Sequence, residues 1–178
     1  MRIWSIGHGA RPLAELMATL ADAHIEVVVD VRRFPGSRRH PQFSATSLVT
    51  SLSELGIAYL HLPGLGGRRE PRDDSPHRAL RVGAFRGYAD HMNTAEFAAE
   101  YEKLTALARR SRAAFMCAET LWWRCHRRMI ADRLTVDGFA VTHLFAPGKS
   151  EPHALWDVAR VVGDELVYDA GAVPMPLG

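Results

Sequence analysis

A run of apolar residues near the N-terminus places the strongest constraint on how this chain can fold. Residues 25–31 read Ile-Glu-Val-Val-Val-Asp-Val, so apolar side chains follow one another instead of alternating with polar ones. Successive side chains of a strand point to opposite faces of a sheet, so this run predicts a strand that is covered on both faces. Such strands are typical of parallel sheets that carry helices on both faces.

Strand and helix patterns alternate along the rest of the chain. Four further strands are predicted at residues 2–6, 57–60, 113–117 and 140–144. Helices are predicted at residues 12–24, from Ser44 or Thr46 to Leu55, at 94–110 and at 123–137. The stretch from residue 61 to about 92 is predicted to be a long irregular loop, and loops of this length are usually functional or mobile. This order predicts an α/β fold: one three-layer domain with a mostly parallel sheet of about five strands and helices on both faces.

The C-terminal part has a weaker pattern. Residues 148–178 are predicted to be an extension that packs on the domain formed by residues 1–147. Residues 159–168 are compatible with a hairpin that turns at Gly163 and Asp164. No apolar run is long enough to span a membrane. Two cysteines and no leader sequence predict reduced thiols and a cytoplasmic location.

Arginine supplies nearly all of the positive charge and is concentrated in one region. Of the 22 basic residues 20 are arginines, and ten of these lie between Arg32 and Arg86, against four acidic residues in the same stretch. A GC-rich genome explains a general preference for arginine but not this clustering. The excess of arginine in predicted loops therefore indicates an anionic, phosphate-bearing ligand, either a nucleotide or a nucleic acid.

Each predicted strand ends beside a titratable side chain. Because ligands bind beyond the carboxyl ends of parallel strands, these side chains predict a pocket at that edge of the sheet. The groups concerned are His8, Asp30, His61, Cys117 with Glu119, and His143. We take four of them as candidates for nucleophile, acid or base, namely Cys117, Glu119, His8 and Asp30.

Cys117 is the most specific of these candidates. It precedes the helix predicted from residue 123, and the positive N-terminus of that helix would lower the pKa of the thiol. The alternative is that Cys117 is a small core residue. Glu119 is either a base or ligand contact, or else a helix cap.

A metal site is the third alternative for the cysteines. The spacing from Cys117 to Cys125 does not match a zinc ribbon, so completing a site would need His8 or His143. His126 adjoins Cys125 and is expected to point elsewhere. We therefore predict neither a metal nor a cofactor.

The loop after Asp30 carries the predicted ligand-binding residues. Arginine forks suit phosphate groups, and Phe34 and Phe43 are placed to stack on a base. The alternative is a solvated basic loop that its aromatic residues anchor to the core. The residues predicted to contact the ligand are Arg32, Arg33, Arg38, Arg39, Arg86, Tyr88, His126 and Arg127.

Several separated motifs together resemble domain-of-unknown-function family 488. The motifs are Ser5-Ile-Gly-His8, Asp30-Val-Arg32, Leu65-Gly-Gly67, Phe85-Arg-Gly87-Tyr88, Cys117-Ala-Glu119 and Cys125-His-Arg127. The resemblance runs from residue 1 to about 143 and implies an α/β fold without implying a reaction. Asp30-Val-Arg32 and Cys117 with Arg124 are also distantly similar to rhodanese and cysteine-phosphatase domains. The bulky and acidic residues after Cys117 depart from the short loops of those domains.

Three hypotheses for the function follow. The first is a cytoplasmic enzyme acting on a phosphate-bearing substrate, a nucleotide or nucleic acid, in the pocket at the carboxyl edge. The second is a non-catalytic nucleic-acid-binding module that uses the arginine-rich loops. The third is a thiol-based sulfurtransferase or phosphatase that uses Cys117.

Overall fold

A six-stranded sheet forms the centre of the computed structural model, which describes residues 1–36 and 40–170. Its strands are β1 (Arg2–Gly7), β2 (Val27–Asp30), β3 (Ala58–His61), β4 (Ala113–Cys117), β5 (Ala140–Ala146) and β6 (Lys149–Pro152). They lie in the order β3-β2-β4-β1-β5-β6, and all neighbours are parallel except β5 and β6. The prediction of a mostly parallel sheet is confirmed, with β6 as an additional antiparallel edge strand.

Helices cover both faces of the sheet, as predicted. They are α1 (Leu13–Asp22), α2 (Ala45–Ser53), α3 (Gly83–His91), α4 (Ala95–Arg110) and α5 (Arg127–Val136). Leucines of α1 and α2 belong to the core on one face, and apolar side chains of α3, α4 and α5 belong to the core on the other. All four residues of β2 are buried, which explains the unbroken apolar run in the sequence. Within the described ranges, no helix is both long and apolar enough to cross a bilayer.

Two helix starts follow from side-chain caps that the sequence predicts. The Ser44 hydroxyl accepts a hydrogen bond from the Ser47 backbone N–H at the start of α2. The Thr94 hydroxyl accepts one from the Phe97 backbone N–H at the start of α4. Such caps satisfy backbone donors that have no partner within the helix.

Two predicted boundaries are wrong. The segment predicted to be an irregular loop contains α3, whose pattern is obscured by two glycines. The helix predicted from residue 123 begins instead at Arg127. Residues Trp122–Arg124 form a separate 3-10 turn, and the extended backbone of Cys125 separates that turn from α5.

The C-terminal hairpin is confirmed as β7 (Ala159–Val162) paired with β8 (Glu165–Tyr168). Gly163 occupies the turn with a φ of +60°, which glycine adopts without strain. Tyr168 is fully buried in the same core as α3, α4 and α5, and its hydroxyl donates to the Asp132 carboxylate. Because β6 pairs with β5, the chain after residue 147 also contributes to the main sheet. The domain boundary at residue 147 stays a prediction.

We predict that Gly66→Ala lowers the free energy of unfolding by roughly 1–3 kcal/mol. A Cβ at Gly66 would lie 2.7 Å from both the backbone nitrogen and the Cα of Arg33, so one backbone segment must move. Gly83→Ala is the matched control, because a Cβ there meets no atom within 4 Å. Urea unfolding compares the two variants, and an unchanged midpoint for Gly66→Ala would contradict the close packing of these segments.

Candidate functional site

The loops that follow β2 and β4 enclose a cavity of about 410 Å³. Sheet register brings the two strands to a common edge, because Asp30 pairs with Met116 and Gly7 pairs with Cys117. Side chains from these loops, from the segment after β3, from α3 and from the turn before α5 line the cavity. The polar ones are Arg32, Arg33, Arg68, Arg124, Glu119, Cys117, Cys125 and His126, and the aromatic ones are Phe34 and Phe85.

Two buried thiols and one imidazole form a cluster in the cavity wall. Cys117 ends β4, and Cys125 is buried before the start of α5. The Nδ1 atom of His126 lies 3.9 Å from the Sγ of Cys117 and 3.6 Å from the Sγ of Cys125. All three heteroatoms lie within 4.8 Å of one another.

The expectation that His126 points away from Cys125 is therefore wrong. The backbone is extended at Cys125 and turns into helical geometry at His126, with φ −56° and ψ −18°. Because of this change of conformation, the side chains of Cys125 and His126 lie together beside Cys117.

The surroundings of the two thiols shift their pKa values in opposite directions. The hydrogen bond that Cys117 donates to Cys125, and then burial, raise the pKa of Cys117 well above that of a free thiol. Burial opposes ionisation of Cys125 too, but the Cys117 hydrogen bond, His126 and Arg127 outweigh it and lower the pKa of Cys125. The lowered pKa that the sequence predicts for Cys117 thus belongs to its partner. The reason is that Cys125, and not Cys117, accepts the hydrogen bond between the two thiols and lies beside His126.

Three exposed arginines face the cavity. Arg33 lies over the Phe34 ring and donates a hydrogen bond to the Arg68 carbonyl. Arg68 and Arg124 are exposed and line the same cavity. Among the residues that the structure describes, no carboxylate pairs with any of these three guanidinium groups.

Arg32 is instead held in a buried network. Its Nε and Nη2 donate to both oxygens of Asp30, at 2.9 and 2.5 Å. Its Nη1 donates to the Phe43 carbonyl and to the Nε2 of His8. Tyr59 donates a further hydrogen bond to Asp30, which is fully buried. Asp30, predicted as catalytic, is not among the cavity-lining residues, and its role in the structure is to fix Arg32.

His8 also belongs to this network rather than to the cavity. Its ring stacks on Phe43 with centroids 4.2 Å apart, and its Nδ1 donates to the Gly9 carbonyl. Burial, assisted by the charge of Arg32, lowers the pKa of His8 to about 4. The ring is therefore neutral at neutral pH and is placed to accept a hydrogen bond from Arg32.

Three further residues that the sequence predicts as ligand contacts do not line the cavity: Tyr88, Arg127 and Arg86. Tyr88 is fully buried and donates to the Leu65 carbonyl, and its ring centroid lies 4.9 Å from that of His126. Arg127 is also buried and donates to the Ser5 hydroxyl and to the Glu119 carbonyl, so it fixes the loop after β4.

Arg86 is not among the lining residues, although its neighbour Phe85 is. Arg38 and Arg39 lie outside the described residues.

Glu119 remains in the position that the sequence predicts. Its exposed carboxylate lines the cavity, and its backbone N–H points to the Cys117 sulfur. Sequence reasoning missed Arg68 and Arg124 as residues that line the cavity. Each lies close to a motif that we noted, Leu65-Gly-Gly67 or Cys125-His-Arg127, and this proximity is the signal that would have identified them.

His143 does not join the cavity, although it lies on β5. Its Nε2 is 3.0 Å from the Nδ1 of His153, whose Nε2 donates to the buried Asp132. The indole of Trp122 stacks on the His143 ring at 4.1 Å. This chain of buried groups joins the segment after β6 to α5 and has a structural role.

We predict that Asp30→Asn lowers the free energy of unfolding by roughly 3–5 kcal/mol, because it leaves the buried Arg32 charge without its partner. Glu119→Gln is the matched control, since it removes an exposed carboxylate and should change stability by less than about 0.5 kcal/mol. Urea unfolding measures both. Equal stability of Asp30→Asn and the wild-type protein would restore Asp30 as a candidate for catalysis.

We predict that His143 makes the folded state less stable in acid. Burial, followed by the electrostatic effects of His153 and Arg127, lowers the pKa of His143 from 6.5 to about 3. The anionic groups nearby, Asp132 and Glu151, are already hydrogen-bonded to His153 and Trp122. Below pH 6.5 the unfolded chain therefore binds a proton that the folded chain excludes. Stability is complete above this pH and is lost on acidification, by up to about 1.4 kcal/mol per pH unit.

The variant His143→Gln tests this pH dependence. Its free energy of unfolding should depend less on pH than that of the wild-type protein between about pH 6 and pH 4. His24→Asn removes an exposed histidine and should keep the wild-type dependence. An unchanged dependence in His143→Gln would show that this ring does not contribute.

Comparisons with known proteins give one assignment. A family model, the domain of unknown function DUF488, matches residues 12–134. Searches of curated proteins and of solved structures each found no match. The matched region contains β2, β3, β4, most of α5 and every cavity-lining residue. With a match over more than half of its length, the chain belongs to the DUF488 family.

Proposed function

We propose that this protein is an enzyme that acts on a small phosphate-bearing substrate, a nucleotide or a fragment of nucleic acid, in the cavity after β2 and β4. The observation that carries the proposal is the convergence of Arg33, Arg68 and Arg124 on one cavity. Guanidinium groups bind phosphate oxygens through paired, charge-assisted hydrogen bonds. None of these three groups forms an ion pair with a carboxylate among the described residues.

The size and lining of the cavity support a small ligand. Its volume of about 410 Å³ lies within the range of small-molecule sites. Phe34 and Phe85 offer aromatic surface for a base or a sugar. Arg33 already lies over the Phe34 ring, 5.6 Å from its centroid, so a stacking surface and a phosphate-binding group are adjacent.

Glu119 supports a catalytic rather than a purely binding role. It is the one carboxylate among the described lining residues and stands among groups of opposite charge. A carboxylate would weaken binding of an anion, so its presence is better explained by proton transfer to or from the substrate. The thiols in the cavity wall suit a reducing compartment, and we expect the enzyme to act in the cytoplasm.

The two alternatives make different demands on the same cavity. A nucleic-acid-binding module would contact an extended strand through many phosphates, giving a steep dependence on salt. A sulfurtransferase or phosphatase would need an accessible Cys117 thiolate. Cys117 is 7% exposed and its pKa is raised, which favours neither activity.

The proposal is tested by calorimetric titration with adenosine monophosphate. Arg68→Gln and Arg124→Gln should each weaken affinity by about tenfold, through loss of a charge-assisted hydrogen bond. Arg110→Gln is the matched control, because it removes the same charge from an exposed site at the end of α4. Absence of saturable binding, or equal weakening by Arg110→Gln, would refute an anion site in this cavity.

Two further measurements separate catalysis from binding. Nucleoside phosphates incubated with the wild-type protein should be converted to a product, and Glu119→Gln should abolish conversion while retaining affinity. A single-stranded oligonucleotide of about ten nucleotides provides the comparison for the binding module. Much tighter oligonucleotide binding with a steep salt dependence, insensitive to Arg124→Gln, would favour that module over the enzyme.

A further inference from the structure

We infer that Cys117, Cys125 and His126 bind a single zinc ion and leave one coordination position open to the cavity. The three residues are the one group of metal-ligating side chains that the described part of the chain brings together. Two thiolates and one imidazole form a donor set that zinc prefers. The inference goes beyond the proposed function and does not depend on the identity of the substrate.

The distances between the donor atoms fit a tetrahedral ion. Zinc–sulfur bonds of about 2.3 Å and zinc–nitrogen bonds of about 2.0 Å place neighbouring sulfur and nitrogen ligands roughly 3.5 Å apart. The observed distances from the Nδ1 of His126 are 3.6 Å to Cys125 and 3.9 Å to Cys117. Shifts of a few tenths of an ångström therefore suffice at these two contacts, and the two sulfur atoms lie within 4.8 Å of each other.

The hydrogen bonding of His126 leaves the correct nitrogen free. Its Nε2 lies 3.2 Å from the Val31 carbonyl oxygen. A carbonyl oxygen only accepts hydrogen bonds, so this nitrogen carries the proton and the lone pair of a neutral ring is on Nδ1. Metal-binding histidines commonly donate their second N–H to a backbone carbonyl in this way.

The surrounding residues fix the ring in this orientation. The Tyr88 ring packs against it, and a Cβ at Gly67 would lie 2.9 Å from its Nδ1. The absence of a side chain at Gly67 therefore leaves room for the ring. This support accounts for the burial of Tyr88, which the sequence predicts as a ligand contact.

The fourth position faces the cavity, because all three side chains also line it. Within residues 1–36 and 40–170, no further cysteine, histidine or carboxylate belongs to the cluster. A water molecule or an oxygen of a bound anion would complete the tetrahedron, as in catalytic rather than structural zinc sites. Zinc binds both cysteines as thiolates, so the protons that the two thiols carry at the working pH are released to solvent, with no change of oxidation state.

The test uses the full chain without an affinity tag, reduced and stripped of metal with a chelator. Titration with Zn²⁺ against a chromophoric chelator should show one site per chain. Cys117→Ser, Cys125→Ser and His126→Gln should each weaken that site by about 100-fold or more. His24→Asn, which removes an exposed histidine, should leave the affinity unchanged.

A spectroscopic measurement on the wild-type protein tests the zinc site even if the variants fail to fold. Co²⁺ in place of zinc should give thiolate-to-cobalt charge-transfer absorption and the intense visible bands of a tetrahedral ion. Lack of stoichiometric zinc binding, or cobalt spectra without thiolate bands, would overturn the inference. A disulfide between Cys117 and Cys125 that persists in the presence of a reductant would also overturn it. Titration of the metal-free protein with adenosine monophosphate tests the arginine site separately, so the two proposals can fail independently.

Discussion

The buried ion pair between Asp30 and Arg32 organises the edge of the sheet on which the cavity depends. Its hydrogen bonds reach β3 through Tyr59, the loop after β1 through His8, and the segment before α2 through the Phe43 carbonyl. Separating the two side chains would leave a buried charge without its partner, which costs free energy. The elements that contact the pair are therefore held in one arrangement. The neighbouring carbonyl of Val31 then accepts the hydrogen bond that orients His126. A structural pair two residues apart thus fixes the wall of the candidate site.

Much of the fold could be predicted because its signals are local. The valine run of β2, the Ser44 and Thr94 caps and the Gly163 turn each depend on residues within a few positions of one another. The strand order could not be predicted, since it depends on contacts between distant segments. Helix α3 was missed for a related reason: Gly87 weakens the helical pattern but packs against the backbone of Arg69 and Glu70.

The site shows where sequence patterns become ambiguous. An acid followed two residues later by an arginine at a strand end is the same signal for a ligand site and for a buried ion pair. The two possibilities are distinguished by whether the side chains are buried in the folded protein. Asp30 is buried in the core, whereas Arg33 lines the cavity. The convergence of Cys125 and His126 depends on a change of backbone conformation between adjacent residues, which no spacing rule reports.

The two proposals about the cavity support each other through charge. Two thiolates close to the arginines would oppose an incoming phosphate, whereas two protonated thiols would leave polar groups buried without strong partners. A zinc ion bound by both thiolates has no net charge. The field of Arg33, Arg68 and Arg124 would then act on the ligand undiminished. An open zinc position beside these arginines is suited to binding an oxygen of the same anion, with Glu119 close by to exchange a proton.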